Sequence, residues 1–300
     1  PSGDDLVLCR NLITPERDVN DIRDVFKGTH WHPASVVLLR RRFPAAAALV
    51  EELEDPELFE RGFPTAPVSW RRTSLGMSSA IYETVRLIGF RRLTEESYRY
   101  PISATESFEV PRLTLFPSSE MRGLLPSAVS EMKLTERLLG EESSGKHIED
   151  LLDHLNAYTW SMMTELALLD QTAGRDIAAR DTVLLTLAYT DTYLRHARVT
   201  RPDDYAKIRD TEAMRSAVVG LWDRAVCSLR LSGTESRLGI EDVALLPVLF
   251  GSGRAPEVDA LRSMKPSLPT PPPAPHTQLH VDTTCSETRP TRGKVLRNTG

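Results

Sequence analysis

Arginine clusters beside aromatic residues are the strongest chemical signal in this sequence. Three of them fall in the first third of the chain, where Phe43 follows the first, Trp70 precedes the second and Phe90 precedes the third. Guanidinium groups bind phosphate through paired hydrogen bonds, and aromatic rings stack on bases. The pattern predicts contacts with nucleic-acid phosphates through Arg40, Arg41, Arg42, Arg71, Arg72, Arg91 and Arg92.

The same arginines have a second interpretation as partners in surface ion pairs. Glu51, Glu52 and Glu54 follow the first cluster closely and offer it carboxylates. Arginine is also abundant along the whole chain, with 31 Arg against 6 Lys, as a GC-rich coding genome would produce. No helix-turn-helix or RNP segment accompanies the clusters. Both interpretations therefore stay open at the level of sequence.

Catalytic and metal-binding patterns are weak by comparison. His30 and His32 flank Trp31 without a nearby Cys or Glu, which favours a loop anchored by the Trp ring over a metal site. His147 and His154 would lie about 10 Å apart on one helix, too far to share a metal ion directly. We predict no catalytic residue, no metal ligand and no cofactor.

Other motifs that would indicate an enzyme are missing from the sequence. It contains no phosphate-binding GxxxxGK[ST] or GxGxxG pattern and no GxSxG nucleophile turn. Asp203 and Asp204 do not form a DDxxD motif, and we interpret them as the start of a helix. The cysteines are far apart, which predicts a reduced chain with Cys227 as a buried structural thiol.

Length and composition limit the class of protein without naming a function. The chain has 300 residues, of which 40% are hydrophobic and 26% charged, with a net charge of −5. These values argue against a uniformly basic nucleic-acid binder, a collagen and a highly charged disordered chain. No apolar run approaches the roughly 18 residues of a membrane span, so we expect no membrane partner. The expected location is intracellular, either cytoplasmic or within a virion-type particle.

The periodicity of apolar residues predicts a mostly α fold. The clearest apolar stripe runs from Ile148 to Leu169 and indicates a helix of about six turns. Further helices are expected at 18–27, 34–42, 45–61, 76–89, 176–197, 203–230 and 240–249. Pro56 is expected to interrupt the helix over 45–61.

The predicted organisation is two helical lobes joined by an extended segment and followed by a tail. Prolines at 101, 111 and 117 indicate an extended connector or a small hairpin rather than a central strand. The tail is rich in Pro and Thr and mildly basic, which predicts a disordered or extended arm. The expected bounds are 1–100 for the N-terminal lobe, 101–117 for the connector, 118–264 for the C-terminal lobe and 265–300 for the tail.

Three functions fit these features. The first is a non-enzymatic, self-assembling structural protein, of a coat or nucleocapsid type, whose Arg clusters contact nucleic-acid phosphates. The second is a helical enzyme or small-ligand-binding protein with a pocket between the helices of 146–230, where the polar candidates are Asp150, His154, Glu165 and Asp191. The third is a regulatory adaptor that uses the Pro-rich tail as a peptide ligand.

Overall fold

The fold is almost entirely helical, as the sequence predicts. A computed structural model describes residues 13–91, 94, 96–103, 105–139, 147–172, 178–233, 235–250 and 256–263. The first group of helices is α1 (Asn20–Asp24), α2 (Trp31–Arg42), α3 (Pro44–Glu52), α4 (Pro56–Glu60) and α5 (Trp70–Arg91). A hairpin of β1 (Ser97–Pro101) and β2 (Ser107–Pro111) follows.

The second group of helices begins after the hairpin. It comprises α6 (Ser127–Ser130), α7 (Lys133–Leu139), α8 (Ile148–Ala167), α9 (Ala179–Thr200), α10 (Pro202–Asp210), α11 (Glu212–Ser232), α12 (Asp242–Phe250) and α13 (Pro256–Ser263). Short 3-10 turns lie at Gly28–His30, Ser118–Leu124, Leu169–Gln171 and Ser236–Leu238. The described residues belong to one compact unit. The predicted tail, 265–300, lies outside the described residues.

Two expected helices are each divided in the structure. The expected helix over 45–61 breaks after Glu52, and a new helix begins at Pro56, where the proline fits a first turn. The expected helix over 203–230 is also wrong as a single element. Thr211 has an extended backbone, with φ −83° and ψ 103°, so that α10 ends and α11 begins there.

The histidine pair near residue 31 lies at a helix start rather than in a free loop. Trp31 is the first residue of α2, and its ring stacks on Phe59 at 6.0 Å and meets Phe63 edge-on at 5.6 Å. The expected Trp anchor is therefore present. Burial lowers the pKa of His32, so that its ring favours the neutral form.

Two clusters of buried apolar side chains form the core, and α8 contributes to both. Ile148, Leu151 and Leu155 pack into the cluster formed with the later helices. Trp160 and Met163 pack into the cluster formed with α2 to α5. Because both faces of α8 are buried, this helix joins the two groups of helices.

Buried polar side chains connect α5 to α8. Tyr82 Oη lies 2.7 Å from His154 Nδ1, and the Oγ of Ser78 donates to Glu165. One turn beyond Tyr82, Arg86 Nε donates to an Asp153 carboxylate oxygen at 2.8 Å. A buried polar group is costly unless it is hydrogen-bonded, so these pairs restrict how the two helices can align.

An antiparallel hairpin begins at Ser97, four residues before the expected connector 101–117, and in it Ser97 pairs with Pro111 and Tyr100 with Phe108. Prolines close both strands, which suits a two-stranded ribbon. The carbonyl of Pro101 accepts hydrogen bonds from Trp160 Nε1 at 3.0 Å and Asn156 Nδ2 at 2.9 Å. The hairpin is thus tied to α8.

Gly89 marks a close approach between α5 and β1, where a Cβ would lie 2.9 Å from the Arg99 carbonyl oxygen. Alanine normally stabilises a helix by about 1 kcal/mol relative to glycine. We predict that Gly89→Ala instead destabilises the protein by about 1–3 kcal/mol, because the backbone must shift. Urea denaturation measures the effect. Gly123→Ala is the control, since nothing lies within 4 Å of its Cβ position. Equal stability of the two variants would contradict the prediction.

Candidate nucleic-acid interface

The arginines of the first cluster, at the end of α2, each bind other groups within the protein. Arg40 Nη2 lies 2.6 Å from Glu51 Oε1, which is the ion pair that the second interpretation predicts. Arg41 forms a two-point contact with Asp21, which raises the pKa of Arg41 and lowers that of Asp21. Both pairs are near the surface, where such contacts stabilise a fold only weakly.

Arg42 has a structural role inside the fold. Its side chain is buried, and its guanidinium binds the Asp170 carboxylate at 2.7 and 2.9 Å and the Ala167 carbonyl at 3.1 Å. Burial opposes ionisation of Asp170, but the hydrogen bonds from Arg42 and Gln171 outweigh it and lower its pKa. Arg42 therefore joins α2 to the end of α8 and is not available to an external phosphate.

The second cluster, Arg71 and Arg72, has a different environment. Both residues are exposed in the first turn of α5. Among the residues that the structure describes, neither guanidinium has an ion-pair partner. The first turn also contains no acidic residue, although the positive end of the helix dipole favours one there. Two unpaired cations at this end of a 22-residue helix create a locally positive surface.

The chain before α2 brings further groups to the same place. The ring of Phe26 meets that of Trp70 edge-on at 5.8 Å, and a Cβ on Gly28 would lie 2.6 Å from the Val68 carbonyl oxygen. Lys27, between these two contacts, is exposed. We call the surface formed by Lys27, Arg71 and Arg72 the basic corner. Lys27 was missed at the level of sequence, because only the fold brings it near residues 68–70.

Trp70 is held in place rather than free to stack on a base. Its Nε1 donates to Gln171 Oε1 at 3.2 Å, and its ring is half-buried. The Oδ2 of Asp170 accepts from Gln171 Nε2 at 2.6 Å and also binds Arg42. The base of the corner is therefore built on the same contacts that hold Arg42.

The third cluster lies at the opposite end of α5. Twenty residues separate Arg71 from Arg91, which corresponds to about 30 Å along the helix. Arg91 is exposed, and its Nη1 donates to the Leu53 carbonyl at 3.2 Å. Phe90 beside it is 72% exposed. Arg92 lies outside the described residues. The three clusters are thus not brought together into one groove.

The polar residues expected to line a pocket between the helices of 146–230 are also separated. Asp150 Oδ2 accepts from the His147 backbone at 3.0 Å and caps α8. His154 and Glu165 are buried at the contact with α5. Asp191 on α9 is the only one of these four candidates that lines a described cavity, of about 310 Å³. His196, which the sequence analysis did not select, lines it too.

The remaining candidate residues are not brought together into a catalytic site in the part of the chain that the structure describes. No cluster of three or more His, Cys, Asp or Glu suited to a metal ion is found there. Cys227 is buried on α11, but its sulfur is in a disulfide bond, so the expectation of a reduced thiol is wrong for this residue. Asp203 and Asp204 lie in the first turn of α10, as predicted.

Comparison with known proteins adds no further information on the site. No protein-family model, curated protein or solved structure matches this chain. Within the described residues, no helix has both the length and the apolar character needed to cross a membrane.

We predict that Arg42→Met lowers the free energy of unfolding by about 2 kcal/mol, because it removes one partner of a partly buried ion pair. Since the pKa of Asp170 is lowered in the folded protein, its contribution is present above the unfolded value near 3.9. It is lost as the pH falls through the lower folded value. Chemical denaturation between pH 7 and pH 2 should therefore show a smaller loss of stability on acidification in the variant than in the wild type.

The control for this prediction is Arg40→Met, which removes the exposed pair with Glu51. It should change the unfolding free energy by less than about 1 kcal/mol. An Arg42→Met variant as stable as Arg40→Met would contradict the structural role of Arg42.

Proposed function

We propose that this chain is a non-enzymatic, self-associating structural protein that contacts nucleic-acid phosphates through the basic corner. The observation that carries the proposal is the exposed Arg71–Arg72 pair in the first turn of α5, which has no carboxylate partner in the described part of the chain. Arg40, Arg41 and Arg42 have carboxylate partners, and Arg91 binds a carbonyl oxygen. Of the seven arginines predicted from the sequence, the proposal therefore retains Arg71 and Arg72, which are exposed and have no carboxylate partner among the described residues.

The chemistry of the corner suits a phosphate diester. The helix dipole at the start of α5 favours an anion, whereas the Arg72 and Thr73 amides already donate to Ser69. Arg71 and Arg72 add two guanidinium groups that can bind phosphate oxygens, and Lys27 adds an ammonium group. Because Trp70 is hydrogen-bonded to Gln171, its ring is not free to stack on a base, and we expect the corner to contact phosphate groups rather than bases. We therefore expect binding with little sequence preference.

Self-association is supported by apolar side chains at the surface. Val25 is 73% and Val68 57% exposed, and both belong to the segments that form the basic corner. Single exposed apolar residues are common, but these two lie on segments in direct contact. A contact between copies at this position would place several basic corners along one nucleic acid, as a coat or nucleocapsid protein requires.

The adaptor alternative depends on the Pro-rich segment 265–300, which lies outside the described residues. The proposal therefore rests on the basic corner and on the exposed Val25 and Val68.

The salt dependence of nucleic-acid binding tests the basic corner. We predict that Arg71→Ala/Arg72→Ala weakens binding to single-stranded RNA and to duplex DNA. The slope of log K against log salt should become shallower by about 1.4 for single-stranded RNA and about 1.8 for duplex DNA, since each of the two lost phosphate contacts contributes about 0.7 or 0.9. Fluorescence anisotropy from 50 to 300 mM NaCl provides the measurement.

Arg209→Ala/Arg230→Ala is the control, because it removes the same formal charge from the half-buried Arg209, which pairs with Asp210, and from the exposed Arg230. It should leave the slope within about 0.5 of the wild-type value. Wild-type protein that binds neither nucleic acid at 50 mM salt would reject the function. Equal slopes for both double variants would remove the corner from the interface.

Sedimentation velocity tests the self-association separately. We predict that the wild type forms oligomers and that Val25→Ser/Val68→Ser shifts the distribution toward the monomer, because an apolar contact is lost. Ile240→Ser, at an exposed apolar position on another part of the chain, is the control. A wild-type protein that stays monomeric at high concentration, with and without nucleic acid, would overturn this part of the proposal.

A further inference from the structure

A cavity of about 310 Å³ runs along the C-terminal half of α9. One face of the helix supplies most of its wall, because the residues involved are spaced by three and four positions. The wall includes Asp191, Thr192, Arg195 and His196, with Leu124 and Leu249 from other segments. This volume is at the lower end of the range for small-ligand sites, and its mixture of apolar and polar walls is typical of them.

The carboxylate on the polar side of the cavity has only one of its two oxygens hydrogen-bonded within the described part of the chain. Asp191 Oδ2 accepts from Arg195 Nη2 at 2.8 Å, whereas Oδ1 is buried and has no hydrogen-bond partner among the described residues. Glu257 on α13, which does not line the cavity, repeats this pattern, since Oε2 lies 2.8 Å from Arg198 Nε and Oε1 has no such partner. Burial raises the pKa of Asp191, an effect that Arg195 opposes and Glu257 increases. The carboxylate of Asp191 is therefore under-compensated.

Arg195 is a weak counter-ion for this carboxylate. Its side chain is 58% exposed, whereas that of Asp191 is largely buried. Because the guanidinium is already largely in water, turning away costs it little, but the buried carboxylate then needs another cation. A ligand with its own positive charge can then replace it.

The exposed part of the lining includes two apolar side chains beside Arg195 and Thr200. Leu124 and Val199 are both more than half exposed there, and Leu249 lies buried in the wall. A ligand that fits both parts has an aliphatic body and one charged donor. A divalent metal ion fits less well, since the described residues offer no group of three ligands.

We propose that this cavity binds a small organic ammonium ion with a short aliphatic chain, whose charged group hydrogen-bonds to Asp191 in place of Arg195. The aliphatic chain packs against Leu124 and Leu249. This site is independent of the basic corner, and its occupation requires no nucleic acid.

Ligand-observed NMR titration of the full chain with n-butylammonium chloride tests the site. We expect saturable binding in about the millimolar range, given only five non-hydrogen atoms. The uncharged analogue 1-butanol, at matched ionic strength, should bind at least about tenfold more weakly, because it lacks the charge-assisted hydrogen bond. Butanol that binds as tightly as butylammonium would overturn the proposal, as would the absence of saturable butylammonium binding.

Two variants locate the binding in this cavity. Asp191→Asn should weaken butylammonium binding by about tenfold or more. Ala188→Leu should weaken it by filling the cavity without a change of charge, since Ala188 lines the wall. The matched control is Asp204→Asn, which alters a helical aspartate paired with Lys207 outside the cavity. Unchanged affinity in both cavity variants, or an equal loss in the control, would reject the site.

If circular dichroism shows that Asp191→Asn does not fold, Arg195→Ala provides a second test of the site. Because this variant removes only the competing counter-ion, it should bind butylammonium as tightly as the wild type or more tightly. A loss of affinity would show that Arg195 itself holds the ligand and would overturn the proposed exchange.

Discussion

Burial of α8 on both faces is the constraint on which the rest of the described structure depends. A surface helix needs a single apolar stripe, but α8 packs Leu151 and Leu155 into one cluster and Trp160 and Met163 into the other. Its polar side chains are buried as well, so their hydrogen bonds must be satisfied by other elements. Tyr82 reaches His154, and the Pro101 carbonyl accepts from Trp160 and Asn156. These bonds fix α5 and the hairpin against α8.

The placement of α5 then determines which arginines reach the surface. Because the helix is held along its length, Arg71 and Arg72 lie at one end and Arg91 about 30 Å away at the other. Arg42 is buried in the fold, where it binds Asp170 in the turn Leu169–Gln171 that follows α8. The basic corner is therefore a consequence of how α8 is packed, since the same turn of Leu169–Gln171 holds both Arg42 and Trp70.

Many of the charged side chains pair with opposite charges within the protein. A chain of net charge −5 can therefore still present a local cationic surface. Arg40, Arg41 and Arg42 pair with carboxylates, whereas Arg71 and Arg72 have no carboxylate partner within the described segments. The cavity beside Asp191 is the reverse case, because there a buried carboxylate has only an exposed arginine as its partner. The Arg71–Arg72 pair and the Asp191 carboxylate therefore both lack full charge compensation, and the stability of the fold does not require a charged group at either place.

Local patterns in the sequence determined the helical class, the apolar stripe of α8, the break at Pro56 and the hairpin closed by prolines, because these depend on residues close together in the chain. Only the tertiary structure decided the rest. The second buried face of α8, centred on Trp160, requires partners more than a hundred residues away, such as Phe43 at 5.2 Å. Likewise, adjacent arginines are equivalent in a motif, yet Arg42 finds Asp170 across 128 positions whereas Arg71 and Arg72 find no carboxylate among the described residues. Their availability to a phosphate is set by long-range contacts, and no local pattern encodes those.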